Sequence, residues 1–236
     1  GAPHQRDRQL MMPHLHGERL RGNANTMQAI TAAEVSTWRA GQVVPVHAMM
    51  QSIALDIILR CVFAVADPQH TNALRRPLLT WLDGAFTPPV FVAGILFTAA
   101  RTRRFLDGAA ERSPERRPVR RLLPWQRWAD AKATVLHLLR ADITRCRAGG
   151  AEDRDDVLAM LAAARYPDGT MMSETQLIDE LVTLLVGGHE TTANTVSFAL
   201  YRILQRPAVV AEIRAELARE FGDGPIDPQR TGELRY

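Results

Sequence analysis

No proline interrupts the chain from Leu177 to Leu204, and Ser173 followed three residues later by Gln176 supplies the reciprocal capping pattern with which helices begin. The run is dominated by Leu, Val, Ala and Thr, so one long central helix over about 174–205 is expected, the longest and most apolar of the chain. Aromatic residues are only 6% of the total, which leaves the core to Leu, Ala, Val and Ile, a mixture that favours packed helices over sheets. With 46% hydrophobic and 23% charged residues, a disordered, collagen-like or disulfide-dense chain is excluded.

Turn and cap signals divide the rest of the 236 residues. A basic helix is expected near Pro3–Met12, and a second, capped by Asn25 or Thr26, to about Ala40 before Gly41. After Pro45 a helix carrying Met49, Met50, Ile53, Leu55, Ile57, Ile58 and Val62 is apolar almost all round and ends near Asp67. Pro68 opens another to Leu82. Glycines and prolines then punctuate the chain to Pro124, a long irregular stretch of the kind that usually carries function. Helical spacing returns from Pro124 to Cys146 with Trp128, Val135, Leu138, Leu139 and Ile143, and stops at Gly149-Gly150. Asp153 or Asp155 is placed to cap Val157–Arg165, Pro167-Asp168-Gly169 reads as a turn, and Pro207 starts a last helix closing at Gly222. The result is an all-α fold of about eight helices with no strand ladder.

Net charge is +3, and Lys132 is the only lysine. Eight arginines from Arg101 to Arg121 meet only three carboxylates, but without interleaved aromatic side chains this basic segment does not predict nucleic-acid binding. Cys61 and Cys146 cannot build a disulfide framework, no leader pattern opens the chain, and a cytoplasmic location is the expectation. The longest apolar run, Val90–Ala100, has about half the ~20 residues a membrane-crossing helix needs, so no transmembrane segment is expected.

In the middle of the long helix stands Gly187-Gly188-His189-Glu190-Thr191-Thr192. Two glycines inside a helix cost about 1 kcal/mol each relative to alanine, so they need a reason. They admit either a flat ligand against the backbone or the close crossing of another helix. Glu190 and Thr191 bring a carboxylate and a hydroxyl to an otherwise apolar stretch, which suits a proton relay or, more plainly, a solvated charge. A zinc-protease site is excluded because the residue four after His189 is Ala193, and His14 with His16 reads as a solvent-facing pair. His4 and Arg8, one helical turn apart, lie on one face, either solvated or able to meet two carboxylates.

These residues resemble a known family. Gly187 to Thr192, within Asp179-Glu-Leu-Val-Thr-Leu-Leu-Val and before Ala-Asn-Thr-Val-Ser-Phe-Ala-Leu-Tyr, looks like the central distal helix of the cytochrome P450 family, the haem-thiolate monooxygenases. The likeness extends through Arg206-Pro207 to Glu212 and Glu216, back to Asp155-Asp156-Val-Leu-Ala-Met-Leu, and to His4 and Arg8, which resemble the family's His-x-x-x-Arg pair. It implies haem as cofactor, with Gly187 and Gly188 making room for it, His4 and Arg8 holding its propionates, Thr191 assisting the protonation of dioxygen and Glu190 relaying protons. It implies a substrate-covering lid over about 67–124, with Phe86, Phe91, Val92, Ile95, Leu96 and Phe97 as candidate contacts for an apolar small molecule or as core. Dioxygen and an electron-donor protein, a ferredoxin or a flavin reductase, complete the implied partners.

Two family features are missing from the 236 residues: the Glu-x-x-Arg helix and the glycine-flanked loop whose cysteine ligates iron. Neither Cys61, in an apolar helix, nor Cys146, between Arg145 and Arg147, has that loop around it, so no metal ligand is assigned. The chain, which opens on Gly1, is expected to be residues 1–236 of a partial, distal-half domain of a longer monooxygenase, not catalytically competent alone. The alternatives are a non-catalytic helical remnant, a weak binder of apolar ligands or haem, or a basic binding module acting through Arg101–Arg121. With its proximal half absent, the central helix is expected to expose apolar surface.

Overall fold

A computed structural model describes residues 2–12, 22–63, 68–85, 124–150, 154 and 156–235. Eight α-helices occupy most of these residues: α1 (Ala2–Met11), α2 (Ala24–Val35), α3 (Val46–Cys61), α4 (Pro68–Ala85), α5 (Pro124–Arg145), α6 (Val157–Ala163), α7 (Glu174–Leu204) and α8 (Pro207–Phe221). A short 3-10 turn follows over Pro228–Glu233. Among the described residues the only β pairing is one antiparallel bridge, Arg165 to Met171, so the all-α expectation holds. The expected lid falls partly on α4. Phe86, Phe91, Val92, Ile95, Leu96, Phe97, the Arg101–Arg121 segment, His14 and His16 lie outside the described residues.

The chain forms two compact units. One comprises Gly1–Ala64, Arg154–Met172 and Asp179–Tyr236, the other Val65–Asp153 and Ser173–Ile178. In the second unit α4 lays Leu74, Leu78 and Leu82, spaced by one turn, against α5, which buries Trp128, Ala131, Val135, Leu139 and Ile143. The Trp128 indole N–H donates to the Trp81 carbonyl at 3.0 Å. Gly149, at φ 101, ends the turn after α5, as the glycine pair predicts. The start of α7 is built as its capping box requires: Gln176 N–H donates to Ser173 Oγ at 3.2 Å, and Ser173 N–H to Gln176 Oε1 at 3.1 Å.

In the first unit the core centres on α3, α6 and α7. Leu55, Leu59, Leu158, Leu161, Leu181 and Leu185 are all at most 1% exposed, and each such side chain contributes about 1.5–3 kcal/mol by leaving water. Met50, Ile53 and Ala193 form a second cluster, flanked by Ile30, Trp38, Val46, Met49, Ile57 and Leu200.

Boundaries of α2, α3 and α6 differ from the sequence expectation. α2 starts after Asn23 rather than at a cap on Asn25 or Thr26, and stops at Val35, because Ser36 and Thr37 hydroxyls donate to the carbonyls of Ala33 and Glu34 and compete with the helical ladder. α3 ends at Cys61, and the Val62 carbonyl accepts from Leu158 N–H at 2.9 Å. α6 is capped by Asp156, not Asp153 or Asp155: its backbone is extended and its Oδ1 accepts from Ala159 N–H at 3.0 Å. Arg154 clasps the same carboxylate through two nitrogens, at 2.7 and 3.0 Å, and reaches the Phe63 carbonyl at 3.2 Å.

Candidate functional site

α7 runs unbroken for 31 residues and carries two opposed stripes. Leu177, Leu181, Leu185, His189 and Ala193, every fourth residue, are buried; Asp179, Thr183, Gly187, Thr191, Thr195 and Ala199, offset by two positions, are exposed. Two residues are 200° of helical rotation, so the stripes stay opposite as they wind along the axis. The buried stripe is apolar apart from His189. The other is a lane of small and hydroxyl side chains, giving way at the carboxyl end to exposed Phe198 (69%), Tyr201 (58%) and Leu204 (67%).

The two glycines do different work. A Cβ on Gly188 would stand 3.0 Å from Cδ1 of Ile58 on α3, so this glycine permits a close helix crossing. A Cβ on Gly187 would meet nothing within 4 Å. Gly187 therefore serves no packing need among the described residues and leaves bare backbone in the exposed lane.

Thr191, one turn on, donates its hydroxyl hydrogen to the Gly187 carbonyl, and Thr195 repeats the bond to the Thr191 carbonyl at 2.8 Å. With its hydrogen engaged on the helix, the Thr191 oxygen offers acceptor lone pairs to the open side.

Glu190 belongs to a different group of side chains. Its Oε2 accepts from Gln51 Nε2 at 2.8 Å and its Oε1 from Asn194 Nδ2 at 3.3 Å, while His47 Nε2 lies 3.6 Å from Oε1 and 3.0 Å from Asn194 Oδ1. The carboxylate is half-buried, and no hydrogen bond joins it to Thr191 among the described residues. The structure thus places Glu190 and Thr191 side by side on one helix but on separate faces. His47, Gln51 and Asn194 are not singled out by the sequence; the available signal is His47 and Gln51 near the start of α3, masked by reading that helix only for its core face.

His4 and Arg8 both lie on α1, and Arg8 is exposed. The rest of α1 is tied to the 165–171 turn. Arg6 donates to Asp168 Oδ2 at 2.5 Å and Thr170 Oγ1 at 3.0 Å, its guanidinium is 3.9 Å from the Tyr166 ring centre, and the Tyr166 hydroxyl donates to Asp7 Oδ1 at 2.5 Å. Burial and the neighbouring Asp7 carboxylate push the Tyr166 phenol up to about 12. Hydrogen bonds from the Thr170 hydroxyl and backbone, with Arg6 beside them, hold Asp168 below the usual carboxylate range.

No group of three His, Cys, Asp or Glu that could hold a metal occurs among the described residues, and Cys61 and Cys146 are both buried and form no disulfide among them. No helix among the described residues is long and apolar enough to cross a membrane.

The sequence model of the family described as Cytochrome P450 matches residues 118–236, across α5 to α8 and the whole exposed lane. The chain belongs to the cytochrome P450 family. Relatives include two Mycobacterium tuberculosis proteins provisionally named cytochrome P450 138 and cytochrome P450 135B1. The first is 31% identical over 219 residues, covering 92% of this chain and 44% of the relative; the second is 33% identical over 228 residues, covering 93% and 42%. Among solved structures, the heme domain of cytochrome P450DA aligns with a TM-score of 0.65 at 22% identity over 93% of this chain and 46% of that one. A mutant of the same heme domain aligns with a TM-score of 0.71 over 98% and 47%. The helical P450 fold is thereby shown, and the chain spans less than half the length of these P450 relatives.

Proposed function

We propose that this chain is the distal part of a haem-dependent monooxygenase that inserts one oxygen atom from dioxygen into an apolar organic substrate. The observation that carries the reading is the exposed lane of α7, where Gly187 leaves uncovered backbone with no packing reason for doing so, one turn before Thr191. A planar porphyrin fits such a lane. When bound, haem supplies the binding and reductive activation of dioxygen.

The chain's own residues supply the surroundings. Gly187 lets the ring approach the helix, and Gly188, by letting α7 close on Ile58, sets the depth at which that lane lies. Thr191 presents a hydroxyl oxygen whose hydrogen is anchored on the Gly187 carbonyl and which would orient a proton donor beside bound haem. Glu190, fed by the amides of Gln51 and Asn194 and beside His47, is the proton-handling carboxylate between solvent and the lane. His4 and Arg8 hold the propionates, an arrangement suited to paired cations one turn apart. Both cysteines being buried, the described residues fit the distal side and the propionates of haem but provide no axial thiolate.

A cytoplasmic location, and electron supply by a ferredoxin or a flavin reductase, follow from the same reading. Residues 1–236 then belong to one partial domain, with about 67–124 as its substrate-covering part. The test is haem loading of the full-length protein carrying this chain. A reduced, carbon monoxide-treated sample with the spectrum of thiolate-ligated haem, lost or blue-shifted in Gly187→Leu with the fold retained, is the expected result; loading unaffected by Gly187→Leu would refute the placement. A second reading, haem or apolar-ligand binding without turnover, draws on the burial of both cysteines and predicts haem uptake with no thiolate signature.

A further inference from the structure

α1 is too weakly packed to orient itself. It has ten residues, below the roughly 12–15 at which isolated helices become even marginal, and of its residues 5–11 only Met11 is buried. What fixes it is polar and remote in sequence: Asp168, Thr170 and Tyr166, some 160 residues away, engage Arg6 and Asp7. The engagement is unusually dense for a surface helix. The Arg6 guanidinium is stacked on a ring, donates to a carboxylate and donates to a hydroxyl, while the stacked ring's own hydroxyl bonds the residue next to Arg6. At 100° per residue, Arg6 stands 200° from Arg8, so fastening the Arg6 side turns the Arg8 side outward. Arg8 is exposed and has no ion-pair partner among the described residues.

We infer that Arg6, Asp7 and Tyr166 are positioning residues: they clamp α1 to the 165–171 turn so that the edge bearing Arg8, and His4 one turn before it, is presented to a ligand with two carboxylates. The inference rests on the haem reading above, in which those carboxylates are the propionates.

The experiment uses the full-length protein carrying this chain with two probes, haemin and haemin dimethyl ester, in which methyl esters cancel the propionate charges. Tyr166→Phe keeps the ring under Arg6 and removes the bond to Asp7; Arg6→Lys keeps the charge and loses the planar fork. Amide exchange across residues 2–12 is expected to accelerate at least about tenfold in Tyr166→Phe, consistent with loss of one hydrogen bond to a charged group. Affinity for haemin should fall by a similar factor, affinity for the ester should stay unchanged, and the melting midpoint should move little. Arg6→Lys should fall between wild type and Arg6→Ala. Haemin affinity unchanged while α1 exchange accelerates, or exchange unchanged in both variants, would overturn the clamp. Equal binding of haemin and ester by the wild type, or of neither, would overturn the propionate reading and with it the purpose assigned to the clamp, while the exchange data would still report whether α1 is held.

Discussion

Gly188 faces Cδ1 of Ile58 across a gap that a methyl group would narrow to 3.0 Å, whereas Gly187, its neighbour, faces open space. One glycine is required by packing. The other has nothing to pack against within 4 Å among the described residues, which supports the haem placement proposed above.

The two glycines should therefore respond oppositely. Gly187→Ala adds helix propensity at no steric cost and is expected to stabilise the chain by about 0.5–1 kcal/mol. Gly188→Leu drives a branched side chain into Ile58 and should destabilise by about 1–3 kcal/mol. Urea unfolding of each variant checks the order; a Gly188→Leu protein as stable as Gly187→Ala would contradict the crossing geometry.

Thr191→Ala removes the hydroxyl from the exposed lane without touching the buried stripe. Stability should change by less than about 1 kcal/mol, since an exposed bond to the helix's own carbonyl is lost and alanine propensity is gained. In the haem-loaded full-length protein, product formation should fall by about 10²-fold and the electrons supplied should be recovered largely as hydrogen peroxide. Simultaneous assay of donor oxidation, product and peroxide decides it. Unchanged coupling would remove Thr191 from the mechanism.

The Gln51 to Glu190 bond at 2.8 Å links α3 to α7 beside the glycine pair. Gln51→Leu should cost about 1 kcal/mol, below the usual range for a bond to a charged group because the carboxylate is 45% exposed. A double-mutant cycle with Glu190→Gln should show a coupling near that size, and His47→Ala should couple less, its ring being 3.6 Å away and itself exposed. Additive effects of Gln51→Leu and Glu190→Gln would mean the bond contributes nothing.

Alkaline pH should loosen α1. The Tyr166 phenol ionises near 10.0 in an unfolded chain and at about 12 here, because burial and Asp7 oppose the phenolate. Its contribution is complete below pH 10 and is lost as pH rises from about 10 to about 12. Asp168 works in the opposite sense: its carboxyl is held low, so the stability it lends is present above about 3.8 and fades as pH falls. Denaturation midpoints across both ranges, with Tyr166→Phe as control, test this; the alkaline decline should disappear in the variant.

Elements were legible wherever a local rule was strong enough. The capping box at Ser173 and Gln176, the glycine stop at Gly149 and proline at the first turn of α8 all stand where pattern placed them. Elements were misplaced where a local choice had near-equal options: Asp153, Asp155 and Asp156 are equivalent as caps in sequence, and only Arg154, anchored on the Phe63 carbonyl, selects Asp156.

By itself, the sequence determined the helices, the long proline-free α7 and the Gly187 to Thr192 motif with its family, because propensity, capping and motif spacing act over a few residues of chain. Only the tertiary structure decided which side of α7 is buried, so that Gly187 and Thr191 share an open lane while Gly188 and His189 turn inward and Glu190 is taken up by Gln51 of α3. Only it brought Arg6 to Asp168. Those decisions depend on partners far away along the chain, and the burial and hydrogen bonds that make them exist only once the remote segments have met.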